Sequence, residues 1–295
     1  MSVGKRAREA KHSMFLLRKR VAAVQERCSD GAATLFINLR PWDFDLTRYR
    51  HRDGQMLMPN FLHFDDPTDG VEVTRLVTPR LFALWTGENQ MSNARVTCLN
   101  SLRDVSGVEV VLVTTSNLHE WILESHPLHV AYEHLSMVHR SDYLRCYLMH
   151  YHGGGYSDIK SIGSSWIEYF DYFEVDPSLW VLGYPEPESS AAANVAGRLG
   201  RDIRRYYSRL AGNGAFICRP GTQFTREWLG EVERRLNYYA PLLALHPARD
   251  PWGSNDDYPV PWTGLQAQVF QPLQLKFAEH VRTVPMLTPS FRDHR

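Results

Sequence analysis

The stretch from His139 to Lys160, HRSDYLRCYLMHYHGGGYSDIK, decides how the chain is read. Leu144, Leu148 and Tyr151 recur at helical spacing with Tyr147 beside them, which predicts a helix over 141–151. Gly153, Gly154 and Gly155 then stop it, because a glycine run forms a C-cap and turn where positive φ carries no steric penalty. The following residues, 156–160, predict a short strand or strand end that carries the carboxylate of Asp158 and the ammonium of Lys160. Asp142 and Arg145 are three apart and share a helix face. The segment therefore gathers two carboxylates and two cations.

Outward from this stretch, two apolar runs precede it. Residues 81–85 and 108–114 read as strands buried on both faces, each followed by a helix, at about 93–105 and 118–124. Strand, helix, strand, helix describes a parallel sheet, and ligands on such sheets sit at the carboxyl ends of the strands. That places Trp85, Thr86, Thr114 and the Asp158 segment at one edge. Beyond Lys160 come a strand at 180–183, an Arg-rich helix at about 198–210, a turn leading into another strand over 211–218 and a helix capped by Thr222 that carries Trp228, Leu229, Val232 and Leu236 on one face. Residues 247–261 are dense in Pro, Gly, Asn and Asp and read as a long loop. Upstream, 5–27 is a cationic helix lying on the domain or on a membrane surface, and 34–79 holds short β-like segments with an Asp53-Gly54 turn. The expected division is an extension over 1–77 and a main domain over 78–295.

Composition narrows the function classes. Lys plus Arg equals Asp plus Glu at 33 each, so net charge gives no argument for a nucleic-acid partner. No segment has the apolar length of a membrane span, which predicts a soluble or peripheral cytoplasmic protein. Cys28, Cys98, Cys146 and Cys218 show no metal-ligand spacing and read as reduced thiols. His150-Tyr-His152-Gly-Gly-Gly matches the oxyanion motif of esterases in isolation, but no G-x-S-x-G elbow exists to partner it. The two histidines, two apart on a helix, face different directions.

The run SDYLR, an aromatic-rich helix, then GGGYSD resembles the DXD-type sugar transferases: capsular polysaccharide synthesis proteins, the initiating α-1,6-mannosyltransferases of yeast and, more distantly, the glucosyltransferase domains of large clostridial toxins. Related sequences also occur in large DNA viruses of algae, which would place such a protein in host cytoplasm. The match covers about twenty contiguous residues at fixed spacing. It implies an α/β fold of the glycosyltransferase A type, a Rossmann-like and mostly parallel nucleotide-binding sheet flanked by helices. The activity implied is transfer of a hexosyl or pentosyl unit from a nucleotide diphosphate sugar, UDP-linked by expectation, to a glycan hydroxyl.

The resemblance also assigns residues. Asp142 and Arg145 fall on positions that contact the donor sugar and its phosphate region; read alone, they are an intrahelical ion pair. Asp158 falls on the carboxylate that contacts ribose and a divalent metal, manganese or magnesium. Lys160 stands where the family has its second Asp, and an ammonium cannot coordinate a cation. It can act as a point charge on the diphosphate. Three outcomes stay open: weak or absent metal dependence with residual metal use through Asp158, completion of the site by Asp256, Asp257 or His280, or a catalytically inactive nucleotide-sugar-binding relative. Trp85 falls on an aromatic that stacks on the nucleobase, with a core role as the alternative. Thr86, Thr114 and Gly154 belong to the same expected donor edge. Asn213 matches a position near donor sugar and acceptor, or caps a turn. Trp252 and Trp262 close over the nucleotide as a lid or pin the loop. Arg198, Arg201, Arg204, Arg205 and Arg209 read as a solvated face.

Overall fold

The computed structural model describes residues 42–53, 56–64, 70–74 and 76–292. The cationic helix expected over 5–27, Cys28 and the Asp53-Gly54 turn lie outside them in whole or in part. A small antiparallel pair, β1 (Arg50–Asp53) and β2 (Met56–Pro59), precedes the main sheet. Among the described residues that sheet has six strands: β3 (Arg80–Trp85), β4 (Glu109–Thr114), β5 (Gly154–Ser157), β6 (Val181–Pro185), β7 (Ala211–Cys218) and β8 (Val281–Thr283). Their spatial order is β4-β3-β5-β7-β6-β8. β3 runs parallel to β4 and β5, β6 runs parallel to β8, and β7 is antiparallel to both β5 and β6. One strand is thus reversed in an otherwise parallel sheet, the α/β, Rossmann-like architecture that the alternating strands and helices predict.

Strand side chains alternate between the two faces. Phe82, Leu84, Tyr156, Phe216 and Cys218 enter one core, with helices α2 (Met137–Tyr151), α4 (Gly197–Arg205), α5 (Gln223–Leu245) and α6 (Ala267–Lys276). Leu81, Ala83, Leu182, Ala215 and Ile217 enter the other, with α1 (Asn93–Val105) and α3 (Ile167–Val175). Two apolar layers sandwich the sheet, which explains why its strands read as continuous apolar runs.

The central helix α2 starts four residues earlier than its periodicity suggests, because the Ser136 hydroxyl caps it by accepting from the His139 N–H. Tyr143, Leu144, Cys146, Tyr147, Leu148 and Met149 are all buried, so this helix has no solvent face in its middle. Its polar residues are consequently held inside the protein or at the sheet edge.

Four expectations need correction. The strand expected over 108–114 to be buried on both faces is β4, at the edge of the sheet, where only Val113 is fully buried. The helix expected over 118–124 is a single 3₁₀ turn, Leu118–Trp121, whose Asn117 cap side chain is spent on β4 through Thr114 and Leu112. The Arg-rich helix ends at Arg205 and is followed by a separate 3₁₀ turn, Tyr207–Arg209. Of the three glycines, only Gly153 serves the helix end, its N–H reaching the Leu148 carbonyl, while Gly154 and Gly155 are already in β5. The described part of 1–77 packs on the main body. Trp42 donates to the Leu275 carbonyl at 2.8 Å, Tyr49 to Asp202 at 3.1 Å, and Lys276 reaches the Leu62 carbonyl at 3.0 Å. Cys98, Cys146 and Cys218 are buried free thiols. Among the described residues no helix is long and apolar enough to cross a membrane.

Candidate functional site

The side chains of Asp142, Arg145, Asp158 and Lys160 converge at the carboxyl end of β5. α2 delivers the first two and β5 runs out into the last two. Arg145 Nη2 lies 3.3 Å from Asp142 Oδ1 and 3.7 Å from Asp158 Oδ1, while its Nη1 donates to the Asn213 carbonyl at 2.8 Å. Lys160 Nζ donates to Asp158 Oδ2 at 2.8 Å. The Tyr156 hydroxyl donates to Asp158 Oδ1 at 2.8 Å, and the Arg145 guanidinium lies 4.4 Å from the centre of the Tyr156 ring. Asp158 is the most open of the four, its side chain 28% exposed against 7% for Asp142, 9% for Arg145 and 12% for Lys160.

Backbone pairing fixes this geometry. The Asp158 N–H donates to the Gly214 carbonyl at 2.8 Å, which continues the β5–β7 ladder by one residue. The Lys160 N–H turns back to the Asp158 carbonyl at 2.7 Å and folds the ammonium over the carboxylate. Gly214 leaves room for the carboxylate: a Cβ there would lie 3.0 Å from Asp158 Oδ2 and 3.5 Å from the Tyr184 hydroxyl.

The two carboxyls are driven apart. Burial pushes Asp142 up to about 6, against the pull of Arg145 and with the repulsion of Asp158. Burial also works to raise Asp158, but Arg145, Lys160 and the hydrogen bonds from Lys160 and Tyr156 together hold it below its ordinary value. For Arg145, burial is outweighed by Tyr156, Asp142 and Asp158, so it stays protonated. Burial raises the Tyr156 hydroxyl, which remains a donor. Environments that separate two neighbouring carboxyls in this way suit a site that needs one fixed negative charge and one switchable group.

The other expected residues divide. Trp85, Thr86 and Thr114 do lie at the same carboxyl edge, Trp85 paired with Thr114 across β3 and β4. Trp85 is half-buried and packs on the α1 and α3 side, its indole N–H donating to the Asn89 carbonyl at 2.7 Å. The Thr86 hydroxyl is committed to the Met137 carbonyl at 2.6 Å, and that of Thr114 to Ser116 and Asn117, so these two build the edge. Asn213 adjoins the cluster, and its buried Oδ1 has no hydrogen-bond partner, as has Arg145 Nε. Gly154 does not join them: it lies at the amino end of β5, with φ +91° against the carbonyls of Arg80 and Thr78. Trp252, on the 247–261 segment, and Trp262, just after it, are exposed; the segment is tied down by Tyr258 to His139 at 2.9 Å and by Ala248 to the His134 carbonyl at 3.1 Å.

Spacing alone does not single out Arg95, Tyr184 or Phe291. Arg95 reaches from α1 to donate to the Ile159 carbonyl at 2.7 Å. Tyr184 stands beside Gly214 and Asp158, and Phe291 covers Lys160 Nζ at 4.6 Å from its ring centre. Each lies tens of residues from the motif in sequence, and only the Tyr in YSD, Tyr156, was visible within it.

A divalent ion at Asp158 fits these residues poorly. Both carboxylate oxygens already accept from Tyr156 or Lys160, and two cationic side chains repel a third cation. His280 is at the opposite, amino edge of the sheet, stacked on Trp180, and Asp257 is held by His246, Arg249 and Asn255. Asp256 is exposed on the same loop. Among the described residues no group of three His, Cys, Asp or Glu side chains is arranged to hold a metal. Comparison with protein-family models, with curated proteins and with solved structures finds no match.

Proposed function

We propose that this protein is a glycosyltransferase of the A type, moving a hexosyl or pentosyl unit from a nucleotide diphosphate sugar, UDP-linked, to a hydroxyl of a glycan. The observation that carries the reading is the meeting of Asp142, Arg145, Asp158 and Lys160 at the carboxyl end of a central strand, beside the one reversed strand of the sheet. Sheets of this kind bind ligands at that edge.

In this reading Arg145 and Lys160 offset the negative charge that builds on the leaving diphosphate. Asp158, ionised and partly open, accepts from hydroxyls of the ribose. Asp142 and the unpartnered Oδ1 of Asn213 accept from hydroxyls of the donor sugar and fix its orientation. Trp85 and the exposed Trp262 flank the edge as stacking surfaces for base and sugar.

The test is a panel of UDP- and GDP-sugars with hydroxyl-bearing glycan acceptors, read by release of nucleoside diphosphate and by the mass of the product glycan. Turnover with any donor, lost in Arg145→Lys and Asp158→Asn, supports the proposal. A chain that neither turns over nor binds any donor in the panel is not a transferase. One observation favours a second reading, a binding protein without turnover: each oxygen of Asp158 already accepts a hydrogen bond, from Tyr156 and from Lys160, where a metal-using site would keep the carboxylate for the ion. Donor binding without nucleotide release selects it.

A further inference from the structure

A site that recognises a diphosphate needs positive charge, and the cluster holds more of it than the motif alone supplies. Arg95 donates from Nη1 to the carbonyl of Ile159, the residue between Asp158 and Lys160, at 2.7 Å. Among the described residues its guanidinium makes no ion pair and no other side-chain hydrogen bond, which leaves the rest of its five donors unspent. Lys160 Nζ spends one of three donors on Asp158 at 2.8 Å and rests against the Phe291 ring. Arg145 and Lys160 face Asp142 and Asp158, and Arg95, at the Ile159 carbonyl, brings a third cation to the 158–160 turn against these two carboxylates. The surplus is positive, and it grows when Asp142 takes up its proton near pH 6.

We infer that Arg95 and Lys160 clamp the pyrophosphate of a nucleoside diphosphate directly, doing by hydrogen-bonded cations what a metal ion does elsewhere. This rests on the transferase reading above and specifies how its donor is held. Arg95 and Lys160 approach the 158–160 turn from different elements, α1 and the end of β5, so a pyrophosphate above the Ile159 peptide is reached from two sides. The Arg95 fork matches two phosphate oxygens at once, whereas Lys160 contributes a point charge. A divalent ion placed there would stand against both.

The experiment is calorimetric titration of the full chain with UDP, GDP and inorganic pyrophosphate, in EDTA and again in manganese. We expect pyrophosphate and one of the nucleotides to bind in EDTA, with manganese changing the affinity less than about twofold. Arg95→Ala and Lys160→Ala should each weaken binding about 10- to 100-fold, the usual cost of a lost hydrogen bond to a charged group. Arg95→Lys should recover part of the loss. Lys160→Asp should abolish binding in EDTA and restore it in manganese. Binding of the wild-type chain only in manganese overturns the clamp and leaves the transferase reading standing. Binding in EDTA that neither alanine variant alters also overturns the clamp. No binding of any probe under either condition overturns both, and the wild-type comparison needs no variant to fold.

Discussion

Replacing Asp142 by Asn should make the protein more stable at neutral pH. Asp142 is pushed up to about 6 from 3.8 by burial. At 1.36 kcal/mol per pKa unit this is a difference of about 3 kcal/mol between folded and unfolded chains. The sign follows from which state holds the proton. Below 3.8 both states are protonated. Between 3.8 and about 6 the native chain keeps a proton that the unfolded chain has released, so stability falls as pH rises, and above about 6 the full cost is present. Asparagine does not titrate, and Arg145 retains Asp158 at 3.7 Å and the Asn213 carbonyl at 2.8 Å. Urea unfolding of both proteins should therefore give nearly equal stabilities at about pH 4 and a variant about 3 kcal/mol more stable at about pH 8, with unchanged m-values. Glu186, raised to about 7 by burial, adds a slope of the same sign, and His139, lowered by burial, adds one of the opposite sign. Both are common to the two proteins and cancel in the difference. A variant that is no more stable than wild type at about pH 8, or a difference that does not change with pH, refutes the argument that Asp142 is held ionised at a cost.

Gly154→Ala should destabilise by about 2–3 kcal/mol, because φ is +91° and a Cβ would meet the Arg80 carbonyl at 2.9 Å, a backbone atom that cannot swing away; thermal unfolding measures it. Arg219→Met should cost about 2–4 kcal/mol in urea unfolding, since the buried guanidinium donates to the carbonyls of Leu179, Thr74, Phe173 and Asp176, which lose their partners together. Trp262→Ala, at a side chain 58% exposed, should change stability by less than about 0.5 kcal/mol. Under the transferase reading it should nevertheless raise KM for the donor about tenfold, and an unchanged KM removes Trp262 from the site.

Much of the fold was legible because its determinants are local. The apolar runs of β3 and β4 and the Thr222 cap, whose hydroxyl accepts from the Thr225 N–H, are where their residue types place them. So is the grouping of Asp142, Arg145, Asp158 and Lys160, since one helix and one strand joined by a short turn leave the four few other arrangements. What was hidden depends on partners remote in sequence. Gly154 and Gly155 look like a turn, yet they are strand residues because the carbonyls of Thr78 and Arg80 pack against the Gly154 α-carbon and leave no room for a side chain. The reversal of β7, which brings Asn213 and Gly214 onto Asp158, is set by ladder hydrogen bonds that no local pattern encodes. Arg95 reads as one more exposed helix cation until the sheet places α1 beside Ile159.

The energetics of α2 bear on why these charges stand where they do. A helix buried through its middle has no structural use for a carboxylate and a guanidinium there, and apolar side chains of similar volume would pack with less desolvation cost. Phe82, Leu84, Tyr143 and Leu144 show that the surrounding core accepts such residues readily. The cost is borne at the one point where the helix meets the carboxyl edge of the sheet and where Asp158 carries the charge network out to solvent. Arg145 Nε and Asn213 Oδ1 are buried there without a hydrogen-bond partner. Under the transferase reading, the positive surplus and the two carboxyls driven to opposite sides of their ordinary values suit a polar, negatively charged ligand that enters at the sheet edge.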